Sequence, residues 1–526
     1  MTASPANPSP PARAWAALWR TGILVPIAYL LLLFWRAPHL DPHDWDYDEG
    51  INLMKALLVG RGFHLFSEIW SDQPPLLTDT LAGLFRVTGP SVAAARVLIM
   101  LLSALLLWAF YLAARTSLLA PSRKTPAEVG PFREGSEGVA TVLALLGCGL
   151  LIVSEFYLRL SGAVMVGLPS TALGMVALML LVVRKPTWPW LLGAAVIMAL
   201  ALQTKLLAAI IVPAAAVAVY VNTSDGSVQG LRRGWQGRLG RAVAWGAMTC
   251  AAYLLLGLAL GALHFDMLFG THLGAMTANV QNFVEEASGF FPHFVEQHTA
   301  YLLLAAGGLA FAAYRRNAAV LVPLAWFVTA LLVFSVQRPL WYHHTLLLSV
   351  PLTWLAAFGL AGIYWLLQVG WQRRHSAAGI AAGLLGAAAA AGVVAILWFY
   401  PNPLPDRLAW QMTIYRPNYI QQVADRLQAD AGATDKSAWI FTDHPFYAFQ
   451  AGLAVPPEIA VLSRKTLEAN IIRQEQLAKV LRDYAPQFVL FERFTDSYSP
   501  EVMDEIHANY TKEIEEGPAR YYIRHE

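Results

Sequence analysis

The chain has 526 residues, of which 57% are hydrophobic and only 14% charged, and its formal net charge is +2. Soluble globular proteins carry roughly 25% charged residues, so this deficit points to lipid as the solvent, and the near-zero charge excludes a nucleic-acid footprint. The two cysteines, Cys148 and Cys250, both fall inside apolar runs, so no disulfide framework is implied.

The first twenty residues, MTASPANPSPPARAWAALWR, are Pro-rich and read as a disordered cytoplasmic N-terminus. The apolar run after them lacks a small-residue cleavage pattern and reads as an uncleaved anchor. Apolar segments long enough to cross a bilayer recur near residues 21–37, 91–115, 138–158, 161–183, 188–203, 206–221, 241–263, 299–315, 317–335, 343–369 and 376–399. About eleven transmembrane helices are therefore predicted, in a multi-pass plasma-membrane protein. Basic residues set their orientation. Arg13 and Arg20, then Arg123, Lys124 and Arg133, then Arg184 and Lys185 fall on one side. Arg232, Arg233, Arg238 and Arg241, then Arg315, Arg316, Arg373 and Arg374, continue the series on the same side, which the rule makes cytoplasmic. Keeping that series intact requires 188–221 to be two short spans with Lys205 at their outer turn. Residues 38–90, 264–298, 336–342 and everything after about 400 then face outward.

The first external loop, 38–90, is the most informative segment. Its stretch DPHDWDYDEG packs Asp41, Asp44, Asp46, Asp48 and Glu49 just beyond the first span. INLMKALLVGRG and LLTDTLAGLFRV after it have helical apolar spacing, which predicts two juxtamembrane helices lying in the interface. Most acids of the run read as solvated or capping residues. Asp48 and Glu49 open the first helix at a fixed depth, where carboxylates bind a cation or act as a general base. Farther along, Glu155 and Arg159 are spaced for a helical ion pair. From about 401 to 526 the composition is that of a soluble domain: KSAWIFTD, PQFVLFER and RYYIRHE read as strands and 417–430, 466–483 and 500–510 as helices. The predicted fold is thus an all-α polytopic membrane domain over 21–400 with a small C-terminal α/β extracytoplasmic domain.

The order WDYDEG, a helix ending in LLVGRGF, SDQPPLL, a second amphipathic helix and GPSVAAARVL resembles the first external loop of GT-C glycosyltransferases. The resemblance is to the group of protein O-mannosyltransferases and aminoarabinose transferases (glycosyltransferase family 39), in its RgtA/B/C/D-like branch. It is strongest over 45–100 and continues loosely through QTKLL at 203–207 and QRPLWYHHTLLLSVPL at 337–352. It implies transfer of one sugar from a polyprenyl-phosphate donor to a lipid, glycan or protein acceptor outside the membrane, with inversion. Asp48 matches the family's general base, and Glu49 its neighbour, which orients the acceptor or helps hold a metal. Tyr47, Asp72 and Gln73, in the two matching motifs, are assigned to substrate positioning, although Gln73 stands where many relatives have Lys. A departing lipid phosphate calls for fixed cations in a water-poor site. Lys205, Arg338, His343 and His344 are the candidates, one of the two histidines serving structure. Glu49, His264 and Asp266 are the candidate ligands should a divalent cation be a cofactor. A secondary transporter or flippase, which would show repeats and ionisable groups at mid-membrane, and an oligosaccharyltransferase are the competing expectations.

Overall fold

The computed structural model describes residues 21–120, 136–222, 235–270, 281–400, 402–413, 418–434 and 438–525. The N-terminal twenty residues and the basic positions Arg123, Lys124, Arg133, Arg232 and Arg233 lie outside them. Among the described residues every predicted span contains a helix. Five are long and apolar enough to cross a membrane: Val92–Leu119, Gln236–Ala259, Ala318–Val336, Tyr342–Gln372 and Ala377–Phe399. The shorter apolar helices Leu24–Leu40, Glu137–Ile152, Gly167–Val183, Trp188–Thr204 and Leu206–Asn222, with Thr299–Arg315, fill the other positions. Their surfaces keep large apolar side chains such as Leu31, Leu255, Leu332 and Leu384 exposed, as lipid contact requires.

Several spans are interrupted at the same end of the bundle. The chain leaves helix at Val153–Phe156 and again after Gly162, with Ala163 extended. It breaks once more at Lys205, whose φ of −156° and ψ of 128° end the helix Trp188–Thr204. The chain resumes there as a 3-10 turn, Leu206–Ile211. The predicted Glu155–Arg159 pair does not form, because helical i,i+4 spacing does not exist across the first break. Glu155 instead meets His293, and Arg159 donates to the carbonyls of Trp45 (3.0 Å) and Thr413 (3.4 Å).

Four helices of the N-terminal third position the site: α1 (Leu24–Arg36), α2 (Tyr47–Gly60), α3 (Leu76–Thr88) and α4 (Val92–Leu119). The two juxtamembrane helices α2 and α3 are where periodicity places them, but α2 is not a half-exposed interfacial helix. Residues Glu49 through Leu58 are all buried. One side of α2 meets the broken span, where the Asn52 amide donates to the Val164 carbonyl at 3.0 Å. Another side meets the C-terminal domain so closely that a Cβ on Gly50 would lie 2.5 Å from the Phe446 backbone nitrogen. Only glycine permits that approach.

The C-terminal domain is built on a four-stranded sheet of order β1-β2-β4-β3, with β1 Ile440–Thr442, β2 Phe488–Phe491, β3 Tyr510–Glu516 and β4 Ala519–Arg524. β1 and β2 are parallel and fully buried, while β2/β4 and β3/β4 pair antiparallel. The hairpin joining β3 to β4 turns at Gly517, whose φ of +54° suits the first position of a two-residue turn. The segment predicted as one helix over 466–483 is two, Arg464–Glu468 and Gln474–Tyr484.

Candidate active site

The helix α2 divides the work of the two adjacent acids. Asp46 caps it, accepting from the Asp48 amide at 2.9 Å, and the carboxylates of the first turn face the positive end of the helix dipole. Successive helical residues point about 100° apart, so Asp48 and Glu49 diverge.

Glu49 turns into the protein. Its two oxygens accept from Arg96 Nε and Nη2 of α4, both at 2.8 Å, and from the amides of Val164 (3.1 Å) and Trp45 (3.0 Å). Arg96 is also fully buried and gives its remaining donors to the carbonyls of His43 (2.5 Å), Asp41 (2.6 Å) and Pro38 (3.3 Å). This bidentate pair ties the acidic loop to the second span and to the break at 163–166. Glu49 is spent on that anchor, each of its oxygens already accepting from two protein donors.

Asp48 opens into a cavity of about 610 Å³ at this end of the bundle. Water reaches it inside the cavity, but protein surrounds it. That enclosure, with the charge of Asp46, raises its pKa to about 6 against the opposing pull of Arg493 and Lys205. Of the residues singled out by sequence, Tyr47, Asp48, Asp72, Gln73, Lys205, His343 and His344 border this cavity. Lys205 is buried at the break between two spans, 3.5 Å from His343 Nε2. Burial draws its pKa down to about 8, while Asp48 and Asp72 pull the other way. His344 differs from His343: it accepts from the Trp341 amide at 3.2 Å and stacks on Phe334, holding the turn that precedes the long helix Leu346–Gln372.

The remaining candidates sit elsewhere. Arg338 donates to the Gln337 carbonyl at 2.6 Å and is not among the cavity's lining residues. His264 stacks on Phe66 with ring centroids 4.8 Å apart, and Asp266 begins the π-helical turn Asp266–Gly270, of which Leu268 and Phe269 reach the cavity instead. Glu49, His264 and Asp266 thus do not converge, and among the described residues no group of three or more His, Cys, Asp or Glu is arranged to hold a metal ion.

Among the cavity's lining residues, Lys55, Tyr342, Lys465 and Arg493 have no site role in the sequence reading. Lys55 follows Asp48 and Asn52 on one face of α2, at the i+4 and i+7 positions, so helical periodicity held the signal. It is only 3% exposed, and burial pulls its pKa down against Asp72 and Asp48. Tyr342 donates to Asp46. Lys465 and Arg493 come from the C-terminal domain. Lys465 Nζ bonds Asp72 at 2.7 Å, and the Arg493 guanidinium lies 3.9 Å from the Tyr47 ring centroid. Nothing local in the sequence marks either one.

The C-terminal domain is fastened to the acidic loop by further polar contacts. His444 bridges Glu492 of its own domain and Asp44 of the loop, the latter at 3.2 Å. Burial opposes a charge on this imidazole, but the two carboxylates outweigh it and raise its pKa to about 9. Gln450 donates to the Pro42 carbonyl at 2.7 Å.

No protein-family model and no curated protein sequence matches the chain. Solved structures match its fold over nearly the whole length, two of them of one protein. ArnT from Cupriavidus metallidurans in the apo state is 13% identical with a TM-score of 0.58, and the same protein bound to undecaprenyl phosphate is 14% identical with a TM-score of 0.54. Each alignment covers 97% of this chain and 98% of the other. The chain therefore shares the fold seen in ArnT.

Proposed function

We propose that the chain is an integral-membrane glycosyltransferase that moves one sugar from a polyprenyl-phosphate donor to an acceptor hydroxyl on the extracytoplasmic side, with Asp48 as general base. The observation that carries this reading is the single cavity that joins an enclosed carboxylate, Asp48, to buried Lys205 and Lys55 at one end of an apolar bundle. A lipid-linked donor fits such a place: its tail belongs among apolar helices, and its phosphate belongs beside fixed cations.

Sidedness is supported by where the helices begin and end. Gly167–Val183 starts at the cavity and ends before Arg184, and Leu346–Gln372 starts there and ends before Arg373. At 1.5 Å per residue the 27-residue helix is about 40 Å long. The basic ends are thus a membrane thickness from Asp48, and the positive-inside rule puts Asp48 and the C-terminal domain outside.

In the proposed reaction the acceptor O–H proton passes to an Asp48 oxygen as the acceptor oxygen forms its bond to the anomeric carbon. The bond from that carbon to the phosphate oxygen breaks, and polyprenyl phosphate leaves with the electron pair. One displacement inverts the anomeric configuration. Lys205 and Lys55, poorly solvated and fixed in place, stabilise charge on the departing phosphate more than they would in water. Arg338, outside the cavity lining, has no part in this scheme, and His343 acts by setting Lys205. No step is routed through a metal ion, because the candidate ligands do not gather.

The test is incubation of the purified protein in lipid with radiolabelled polyprenyl-phosphate sugars and a membrane-envelope extract. Transfer of label that is lost in Asp48→Asn is the expected result. Undiminished transfer by Asp48→Asn, or labelling of residue 48 from the cytosolic side, would overturn the scheme.

A further inference from the structure

Beside the cavity of Asp48 lies a second one of about 510 Å³, and Asp46, Tyr47 and Tyr342 border both. Paired groups hold this shared wall. The Tyr342 phenol donates to Asp46, and Tyr47 packs between the Arg493 guanidinium and the His444 ring, whose centroid is 4.9 Å away. The volume falls in the range of about 300–1,000 Å³ usual for small-molecule sites.

The lining of the second cavity is aromatic to an unusual degree: Trp45, Tyr47, Phe156, Tyr342, Trp410 and Tyr419 all face it. The rings brace one another, with Phe156 against Tyr342 at 4.8 Å and against Trp410 at 5.3 Å. Trp410 keeps 46% of its surface exposed, so a large ring face is presented to whatever enters.

The charged groups there are already matched within the protein. Asp44 and Glu492 both bind His444, and Asp46 accepts from Tyr342 and from the Asp48 amide. Arg159 lies 5.2 Å over Trp410 and donates to two backbone carbonyls. A phosphate would need an uncommitted cation and an amine an uncommitted carboxylate. What this cavity offers instead is ring faces, together with the spare lone pairs of engaged carboxylates. That combination suits a ligand with flat C–H faces and many hydroxyls.

We infer that the second cavity binds a neutral carbohydrate, and that it is the docking site of a glycan acceptor whose hydroxyl reaches Asp48 past Asp46 and Tyr47. The acceptor role rests on the transferase reading; the binding does not. It narrows the acceptor from lipid, glycan or protein to an uncharged saccharide terminus.

The test is direct binding to the full-length protein in nanodiscs without any donor, read by saturation-transfer NMR and tryptophan fluorescence. The probes are maltose, cellobiose, mannobiose and lactose, with glucose 6-phosphate and glucosamine as charged comparators. At least one neutral disaccharide should bind more tightly than both comparators. Loss of one stacking face is worth about tenfold in affinity, so Trp410→Ala should weaken binding by that much, and Trp410→Phe should restore most of it. Failure of every neutral disaccharide to bind, preference for either charged comparator, or indifference to Trp410→Ala would overturn the inference. A protein that binds the disaccharide as expected yet transfers no sugar would sink the transferase reading and leave the carbohydrate site standing.

Discussion

A general base works only when ionised, so if Asp48 is the base, as proposed, the rate must track its charge. The surrounding protein is the largest influence raising its pKa to about 6, with Asp46 next; Arg493 and Lys205 resist, and Asp72 adds to the rise. A carboxyl of pKa 6 is about 91% ionised at pH 7 and about 9% at pH 5, so kcat/KM should fall about tenfold between them. An ordinary Asp, near 3.8, would stay more than about 90% ionised at pH 5 and leave the profile flat. Arg493→Gln removes the strongest favourable charge and should move the acidic limb to higher pH. Asp48→Asn should cost about 10²–10⁴ in rate. It should not cost stability, because a carboxyl whose pKa is raised by folding opposes the folded state once ionised: the penalty begins above the unfolded value and is complete above about 6. The assay is initial-rate transfer of labelled sugar from a polyprenyl-phosphate donor in nanodiscs between pH 4.5 and 8, with thermal unfolding measured alongside. A flat acidic limb, or a limb that Arg493→Gln moves to lower pH, would refute the assignment.

Glu49→Gln should destabilise the protein by about 3–5 kcal/mol, since it leaves the fully buried Arg96 without its counter-charge. Chemical denaturation in detergent reads this, and Glu49→Gln combined with Arg96→Leu should recover part of the loss. For His444 the folded pKa of about 9 lies above the ordinary 6.5. Its contribution is therefore complete below 6.5 and lost as pH rises through about 9. Protease resistance of the C-terminal domain should decline over that window in the native protein, whereas His444→Gln should start lower and change less. Lys205→Met should lower transfer about 10²–10³-fold if Lys205 stabilises the departing phosphate. A donor-dependent rate equal to the native one would remove Lys205 from the scheme.

The parts of this molecule that were legible in sequence are those whose signal is local. Apolar length gave the positions of the helices, and charge asymmetry correctly split 188–221 at Lys205, where the chain does break. The first external loop was legible because α2 and α3 carry their own periodicity. β3 was not: its exposed, charged run TKEIEE is an edge strand paired only to β4, with no buried alternation to betray it. The break at 153–156 was missed for a related reason. SEFY reads as a continuation of an apolar run, and its polar groups meet distant partners such as Gln411, whose amide donates to the Ser154 carbonyl at 2.8 Å, and His293, which meets Glu155. The resemblance gives Glu49 a role in orienting the acceptor or holding a metal, whereas the helix sends it to a different face from Asp48, onto Arg96. Arg96 itself stood in the quoted motif GPSVAAARVL, and an arginine inside an apolar span is costly enough to require a partner.

The C-terminal domain was the element least explained by sequence, and the geometry gives it a specific reason to be attached. α2 holds Asn52 and Lys55 buried on the face of Asp48 and turns Gly50 toward the C-terminal domain on another. Covering that helix requires a surface that comes within van der Waals contact of Gly50, and the segment beginning at Phe446 provides it. The same docking carries Lys465 to Asp72 and Arg493 to Tyr47, so the cover supplies cations to the cavity that the membrane domain alone would leave more acidic. Arg493 opposes the rise in the Asp48 pKa more strongly than Lys205 does. A domain remote in sequence therefore helps set whether the proposed base is ionised at neutral pH. Gly50→Ala separates this from simple capping: a Cβ would press on the Phe446 backbone and shift the domain outward without touching a charged group. If docking tunes Asp48, that variant should move the acidic limb of the rate profile upward, as Arg493→Gln does; an unchanged limb with lowered stability would leave the domain as a cover and nothing more.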